Sequence, residues 1–438
     1  MKEPTMAGSD EREHLASAIP GPRTAALVPQ LQRYESQNVT FLSETFPVFW
    51  QSARGATVTD VDGNRYIDLT SAFGVANVGH SNPRVIAAIA EQAARLMHGM
   101  GDVHPTEIRA QLLERLTGIV PAGLNKTFLA TTGSEAVEAA LKTAMLATGK
   151  HAFAAFHNAY HGLSFGALAV SGIDKFRTPF AGLIAADTLF LDYPRAERDT
   201  AEHALAAARR ALSQRSDLAA LLVEPIQGRG GCVVPPPGYL PGLRALCDEL
   251  GILLIFDEIY TGFGRTGDWF AANHEGVTPD IICIGKAMGS GFPISAMVAR
   301  ASVMDAWPRS TGEALHTSTY LGNPMGCAAA LATIDELERL QLPERARAIG
   351  RLLSDRLAML REYRGVSAVR GRGAMWGLEL RDGALAERIV TRLLARGVIA
   401  LQAGPQGEVI SLTPPLVISD TQLLRAMDLV ESELREEA

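Results

Sequence analysis

Two residues in this chain stand where a short apolar run stops, and both have side chains suited to chemistry. The first is Lys286, which ends Asp280-Ile281-Ile282-Cys283-Ile284-Gly285 and precedes Ala287-Met288-Gly289-Ser290-Gly291-Phe292-Pro293. The chain has 41 basic residues but only six lysines, at 2, 126, 142, 150, 175 and 286. Arginine stays protonated in proteins, whereas burial strips the proton from a lysine. The neutral amine can then attack a carbonyl and form a Schiff base. The competing reading is a strand-end lysine whose ammonium snorkels to water. The second residue is Asp257, which closes Ile252-Leu253-Leu254-Ile255-Phe256. An acid there suits a metal ion or a protonated ring nitrogen, or serves only as a cap or ion-pair partner. No set of His, Asp and Glu nearby supports the metal.

Three further stretches end apolar runs in the same way. In Thr131-Thr132-Gly133-Ser134-Glu135-Ala136, first-turn backbone N–H groups and the Ser134 hydroxyl would face an anion at a helix N-terminus. Ser134 with Glu135 and Glu138 reads equally well as an ordinary cap. His157-Asn158-Ala159-Tyr160-His161-Gly162 has two histidines four apart, a zinc spacing if helical. Gly162 and its aromatic neighbour argue instead for a loop whose tyrosine can stack on a flat ligand. Leu222-Val223-Glu224-Pro225-Ile226-Gln227-Gly228 releases polar groups into a turn at a strand end.

The elements that must position these residues follow from hydrophobic pattern. Residues 56–69 alternate around Asp62-Gly63-Asn64 and predict a hairpin. Pro83 opens an amphipathic helix to about residue 97. Helical stretches then fall near 105–117, 135–148, 200–214 and 240–250. Apolar runs at 127–131, 218–223, 252–256 and 280–284 lie between them. Continuous apolar strands alternating with helices predict a mainly parallel α/β sheet covered on both faces, with ligands at the carboxyl ends of its strands. Residues 291–300 can turn back as a further strand. After about residue 328 the pattern mixes helices with short strands near 366–370, 375–380, 398–401 and 409–412, and a last helix starts near 420. The predicted organisation is a flexible arm at 1–24, a segment at 25–85 that contributes to a small domain, a large α/β domain at 86–328 and a small α+β domain at 329–438.

Composition sets limits on function. The chain has 438 residues, 47% apolar and 20% charged, with a net charge of −7, which argues against nucleic acid or an anionic membrane as partner. Its four cysteines contain no Cys-x-x-Cys pair and read as reduced thiols. No apolar run reaches membrane-spanning length, so a cytoplasmic protein is expected.

In order along the chain, these motifs resemble the class III pyridoxal-phosphate aminotransferases, the family of the ornithine, acetylornithine and 4-aminobutyrate enzymes. The resemblance covers about residues 45–435. It rests on Thr-Gly-Ser-Glu-Ala at 132–136, Tyr-His-Gly at 160–162, Glu-Pro-Ile-Gln-Gly at 224–228 and Asp-Glu-Ile-Tyr-Thr-Gly-Phe-Gly-Arg-Thr-Gly at 257–267. Gly-Lys at 285–286, Thr-Tyr-Leu-Gly-Asn-Pro at 319–324 and Val-Arg-Gly-Arg-Gly at 369–373 complete it. The resemblance implies the fold type I architecture and pyridoxal 5'-phosphate as cofactor, held by Lys286 as an internal aldimine. Asp257 would pair with the ring nitrogen, Gly133 and Ser134 would bind the phosphate, and Tyr160 and Ile259 would flank the ring. Glu224 and His161 would lie beside it, and Phe73 and Val75 would line the substrate pocket. Thr319 would reach the phosphate of the neighbouring subunit, which implies a homodimer with shared sites.

The implied reaction is transamination between an amino donor and a 2-oxo acid. Relatives that racemise amino acids or decarboxylate dialkylglycines share the same motifs and stay open as alternatives. Two positions depart from the family pattern. Ornithine- and 4-aminobutyrate-type members carry a glutamate five residues after the Glu-Pro glutamate, where it masks the Val-Arg-Gly arginine. This chain has Arg229 there, and two arginines repel. The expectation is that Arg370 stays available for a carboxylate and that α-amino or dicarboxylic substrates are favoured over simple ω-amines. Tyr260 stands where many relatives have glutamine.

Overall fold

The computed structural model describes residues 13–43, 46–184 and 187–437. The N-terminal strands are β1 (Trp50–Arg54), β2 (Thr57–Asp60) and β3 (Arg65–Asp68). β2 and β3 form the expected hairpin, and β1 adds to it antiparallel. The Asp60 carboxylate fixes the turn by accepting from the Asp62 and Asn64 N–H groups, the Asn64 amide and the Tyr66 hydroxyl.

The central sheet holds β4 (Lys126–Ala130), β5 (Ala152–Phe156), β6 (Thr188–Leu191), β7 (Leu218–Val223), β8 (Leu253–Asp257), β9 (Ile281–Ile284) and β10 (Ser295–Ala299). Their spatial order is β4-β10-β9-β8-β7-β5-β6. Only β10 runs against its neighbours, and it is the strand expected to turn back. The apolar runs are buried on both faces, as a parallel sheet requires. Leu222, Ile255, Ile281 and Cys283 pack with Val137, Ala140 and Ala144 of helix Gly133–Thr148. The alternate residues Leu221, Leu254, Ile282 and Ile284 join the larger core with Leu243 and Leu246 of helix Tyr239–Leu250.

The C-terminal strands are β11 (Val366–Arg372), β12 (Met375–Leu380), β13 (Val398–Ile399), β14 (Leu401–Ala403) and β15 (Val409–Leu412). Four of them form an antiparallel sheet in the order β11-β12-β15-β14. The fifth, β13, pairs parallel with β3 and so joins the N-terminal hairpin to the C-terminal segment.

Two features differ from the sequence expectation. Strands β1, β5 and β6 were not legible. Three of the five β5 positions could pass for helix on propensity alone, because Ala152-Phe153-Ala154-Ala155-Phe156 is alanine-rich. Burial of all five residues makes it a strand instead. The arm is the second difference. Residues 1–12 lie outside the described residues, but 13–24 are tied down. His14 bridges Arg65, the Asn64 carboxamide oxygen accepts from the N–H groups of Ala16 and Ser17, and Thr24 donates to Asp62.

One side chain joins all three parts. Arg265 is fully buried, and among the described residues no carboxylate pairs with it. Its Nη1 donates to the carbonyls of Ala374 and Pro414, and its Nη2 to Ser71 Oγ and Asn77 Oδ1. Burial pulls its pKa down to about 10, so the guanidinium is still charged at neutral pH. Replacing it by leucine strands these buried acceptors, each at a cost of about 1–3 kcal/mol. Arg265→Leu is therefore expected to lower the thermal unfolding midpoint severely. Arg265→Lys should recover only part of the loss, since an ammonium lacks the fork that spans these acceptors. A midpoint unchanged in Arg265→Leu would refute the joining role.

Candidate active site

The parallel strands β5, β7, β8 and β9, together with β4, end on one edge of the sheet, and each delivers a polar residue there. β9 ends at Ile284, and Gly285 then leads into a short turn, Lys286–Gly289. Lys286 itself has φ 43°, a left-handed backbone that a non-glycine residue adopts only under strain. Its amine does not snorkel. Nζ lies 4.3 Å from the centroid of the Tyr260 ring, and the residue is only partly exposed. Burial lowers its pKa, opposed by the charges of Asp257 and Glu224, so the amine is easier to deprotonate than a surface lysine.

The last residue of β8 is Asp257, which is almost wholly buried. Its Oδ2 is 2.7 Å from His161 Nδ1, and its Oδ1 accepts from the Ile259 N–H at 3.0 Å. His161, expected beside a cofactor ring, is thus held against this carboxylate, and among the described residues its buried Nε2 has no partner. Glu224 follows β7, in register next to Asp257, because Val223 pairs with Phe256. Its two oxygens accept from the N–H groups of Tyr160 and Gly228. Burial pushes its carboxyl up to about 7; His161 opposes that rise and Asp257 adds to it.

After β4 the helix Gly133–Thr148 begins, and its cap is Thr132 rather than Ser134. Thr132 accepts from the Glu135 N–H, and the Glu135 carboxylate accepts from the N–H of Thr132 and of Thr131. This box leaves the Ser134 hydroxyl free to turn toward the loop after β5, where it accepts from the Leu163 N–H at 3.3 Å. Two glycines make the cradle possible. A Cβ on Gly133 would lie 2.8 Å from Ile259 Cδ1, and one on Gly162 would lie 2.0 Å from Ser134 Oγ. Residues 157–162 form a loop, as expected, with Tyr160 half-buried on it. Among the described residues no cluster of His, Cys, Asp and Glu could hold a metal.

An electrophile that is flat, anionic at one end and basic in its ring fits this donor set. The helix N-terminus with Ser134 takes the anion, a buried carboxylate takes a ring N–H, and a deprotonatable amine meets the carbonyl.

Residues 41–434 match the family described as aminotransferase class-III. The chain belongs to the class-III aminotransferases. It is 40% identical to an acetylornithine aminotransferase of Methanosarcina mazei over 88% of this chain and 91% of that one. It is also 40% identical to a 4-aminobutyrate aminotransferase of Mycobacterium bovis, over 97% and 98%. The crystal structure of the ornithine aminotransferase from Toxoplasma gondii superposes with a TM-score of 0.85 at 31% identity, covering 95% of this chain and 96% of that one. As a class-III aminotransferase, the protein uses pyridoxal 5'-phosphate to transfer an amino group from an amino donor to a 2-oxo acid, on a fold type I framework.

The remaining candidates are placed unequally. Phe73 and Val75 lie in or beside a left-handed turn, with φ positive from Ser71 to Gly74. A Cβ on Gly74 would lie 2.2 Å from Tyr260 Cε2, so this turn presses on the ring beneath Lys286, while Phe73 itself points outward and is exposed. Thr319 is exposed.

The expectation for Arg370 is overturned. It is buried, its Nη1 pairs with Glu379 and lies 3.4 Å from Glu197, and its Nε donates to the Gly231 carbonyl at 2.9 Å. Arg229 is exposed and donates to the Gln402 carbonyl at 2.9 Å. An acid from β12 thus does what the absent glutamate at 229 was thought to leave undone. Tyr260 does not act as a glutamine would. Its hydroxyl is 3.1 Å from Thr413 Oγ1, and its ring is wedged between Gly74 and Gly228.

The sequence also hid Tyr193, whose hydroxyl donates to the carbonyls of Glu224 and Pro225, and Thr413. Thr132 was findable, since Thr-x-x-Glu before an apolar helix is a capping signature.

The raised Glu224 pKa carries a prediction about stability. The folded state holds a proton on Glu224 that the unfolded chain, with its ordinary carboxylate, has released by neutral pH. This contribution to stability is complete below the usual value of 4.5 and is lost as pH rises toward about 7. Glu258, also buried and also pushed up to about 7, acts in the same sense. The thermal midpoint of Glu224→Gln should fall less steeply than that of the native protein between about pH 5 and about pH 8. Equal slopes would show that Glu224 keeps an ordinary pKa in the fold.

Proposed function

We propose that Lys286 is the residue that holds pyridoxal 5'-phosphate and moves protons during transamination, with Asp257 as the partner of the ring nitrogen. The observation that carries this assignment is the placement of the buried Asp257 carboxylate at the end of its strand, held there by His161 Nδ1 and the Ile259 N–H. Gly133 and Ser134 bind the phosphate, Tyr160 and Ile259 flank the ring, and Glu224 and His161 support it from the strand ends. The cofactor supplies a carbonyl for the donor's amine and an electron-withdrawing ring that acidifies the neighbouring C–H bond. Lys286, poised over Tyr260, takes that proton and returns it to the other carbon. The partly exposed Val75 and the exposed Phe73 line the substrate's path.

The protein acts as a cytoplasmic homodimer in amino-acid metabolism, and Thr319 serves the partner's site. Four buried, unbridged cysteines and the exposure of Thr319 support this reading. Among the described residues, no helix is long and apolar enough to cross a membrane. Residues 25–85 and 329–438 form the small domain and 86–328 the large one, a division supported by the pairing of β3 with β13.

The test is spectroscopic. The loaded enzyme should change its visible absorption on mixing with an amino donor, and a 2-oxo acid should restore it. Loss of optical rotation from a chiral donor with no lasting spectral change would overturn transamination in favour of racemisation. Lys286→Ala should lower turnover by more than about a thousandfold while the protein still folds. Turnover near the native level in that variant would remove Lys286 from its role.

A further inference from the structure

The geometry around Arg370 raises the question of what reads a substrate carboxylate in this protein. On the ladder of β11 and β12, Arg370 pairs with Gly377, and Glu379 sits two residues along on the same face. Gly377 has no side chain, so the guanidinium leans diagonally onto Glu379. Glu379 is also bound by Arg195 at 3.0 Å and lies 3.8 Å from Arg198. With these arginines around it, its carboxyl is held below the usual carboxylate value despite burial, and it stays charged. An incoming carboxylate would have to displace a buried, multiply paired acid to gain Arg370. The single guanidinium nitrogen left over, Nη2, is buried and close to Gly231, where a Cβ would lie 3.0 Å from it. Arg370 is a pin between β11, β12 and the loop after β7.

Arg229 is the opposite case. It is exposed, and its only hydrogen bond among the described residues runs from Nη1 to the Gln402 carbonyl, which leaves the rest of the fork open. Its neighbours fix where it stands. Gly228 lies against the Tyr260 ring, with a hypothetical Cβ 2.2 Å from Cδ1. Gly230 lies against the loop that carries Tyr160, with a hypothetical Cβ 2.9 Å from the Asn158 carbonyl. The Gly228 N–H is bound by Glu224, and the Arg229 carbonyl accepts from the Gly404 N–H. The backbone of Arg229 is thus held rigidly between the ring under Lys286 and the residue proposed to stack on the cofactor. The charge of Arg229 also acts on the Tyr160 phenol, where it opposes the rise that burial causes.

We propose that Arg229, rather than Arg370, is the specificity-determining cation, and that it selects donors and acceptors bearing a carboxylate at the mouth of the site. This rests on the transamination reading. An exposed arginine with an open fork binds a carboxylate in two parallel hydrogen bonds at little desolvation cost, whereas the pinned arginine has nothing comparable to offer.

The test uses the loaded native enzyme and Arg229→Gln, whose side chain is exposed and whose fold should be unaffected. The half-reaction is followed by cofactor absorption with 4-aminobutyrate, with glutamate and with n-butylamine, which has no carboxylate. Glutarate, an unreactive dicarboxylate, is titrated as a binding probe through the same absorption. Arg229→Gln should lower kcat/KM for the carboxylate donors relative to n-butylamine by about 10- to 100-fold and weaken glutarate binding by a similar factor. Arg370→Gln should shift the thermal midpoint more than this ratio. An unchanged ratio in Arg229→Gln, or a ratio that collapses only in Arg370→Gln, overturns the proposal. So does a native enzyme that reacts with n-butylamine alone. No spectral response to any donor would instead strike at the transamination reading itself.

Discussion

The buried guanidinium of Arg265 is the interaction on which the arrangement of the site depends. A cation at zero exposure, with no acid paired to it among the described residues, is held because neutral acceptors from different parts of the chain converge on it. Ser71 and Asn77 come from the N-terminal segment, and Ala374 and Pro414 from the C-terminal one. Arg265 itself sits eight residues after Asp257, in the turn that begins with Ile259 and Tyr260. The turn that floors the amine and the turn that presses on Tyr260 are therefore fixed by one side chain. The left-handed backbone from Ser71 to Gly74 persists because that side chain and Thr413 hold it, Ser71 Oγ donating to the Thr413 carbonyl.

Charge balance at the sheet edge follows from this rigidity. Asp257, Glu224 and Lys286 meet at this edge, where burial raises the pKa of Glu224 and lowers that of Lys286. Each group also restrains the other, since the two carboxyl groups favour the ammonium. On balance the amine gives up its proton more readily than a surface lysine, which suits a residue that must bond a carbonyl and carry protons. His161 completes the set by contacting Asp257 from another loop, which fixes the direction in which the carboxylate points.

Much of this was legible in the sequence because it is local. A lysine after four buried strand residues, an acid after another apolar run and glycines beside a helix start are properties of single segments, and strand order then brings them to one edge. What was not legible depends on partners distant in sequence. The alanine-rich β5 reads as helix until the sheet buries it. Residues 13–24 look like a loose arm until Asn64 and Asp62 tie them down. Thr413 and Tyr193 carry no local mark of their position near Tyr260 and Glu224.

Arg370 shows why a missing partner in a motif is weak grounds for a free side chain. The motif places arginine at 229 where related enzymes place a masking acid, and the local inference is that Arg370 goes unmasked. A buried guanidinium without an acid costs too much for the fold to leave it so when a carboxylate is within reach, and here the ladder register supplies one diagonally across Gly377. Arg265 makes the same point from the other side, since it lacks an acid only because four well-placed oxygens replace it. The pairing requirement of the buried arginine is thus met from a strand that the motif does not include. That frees position 229 to hold an exposed cation where a masking acid would otherwise have been needed.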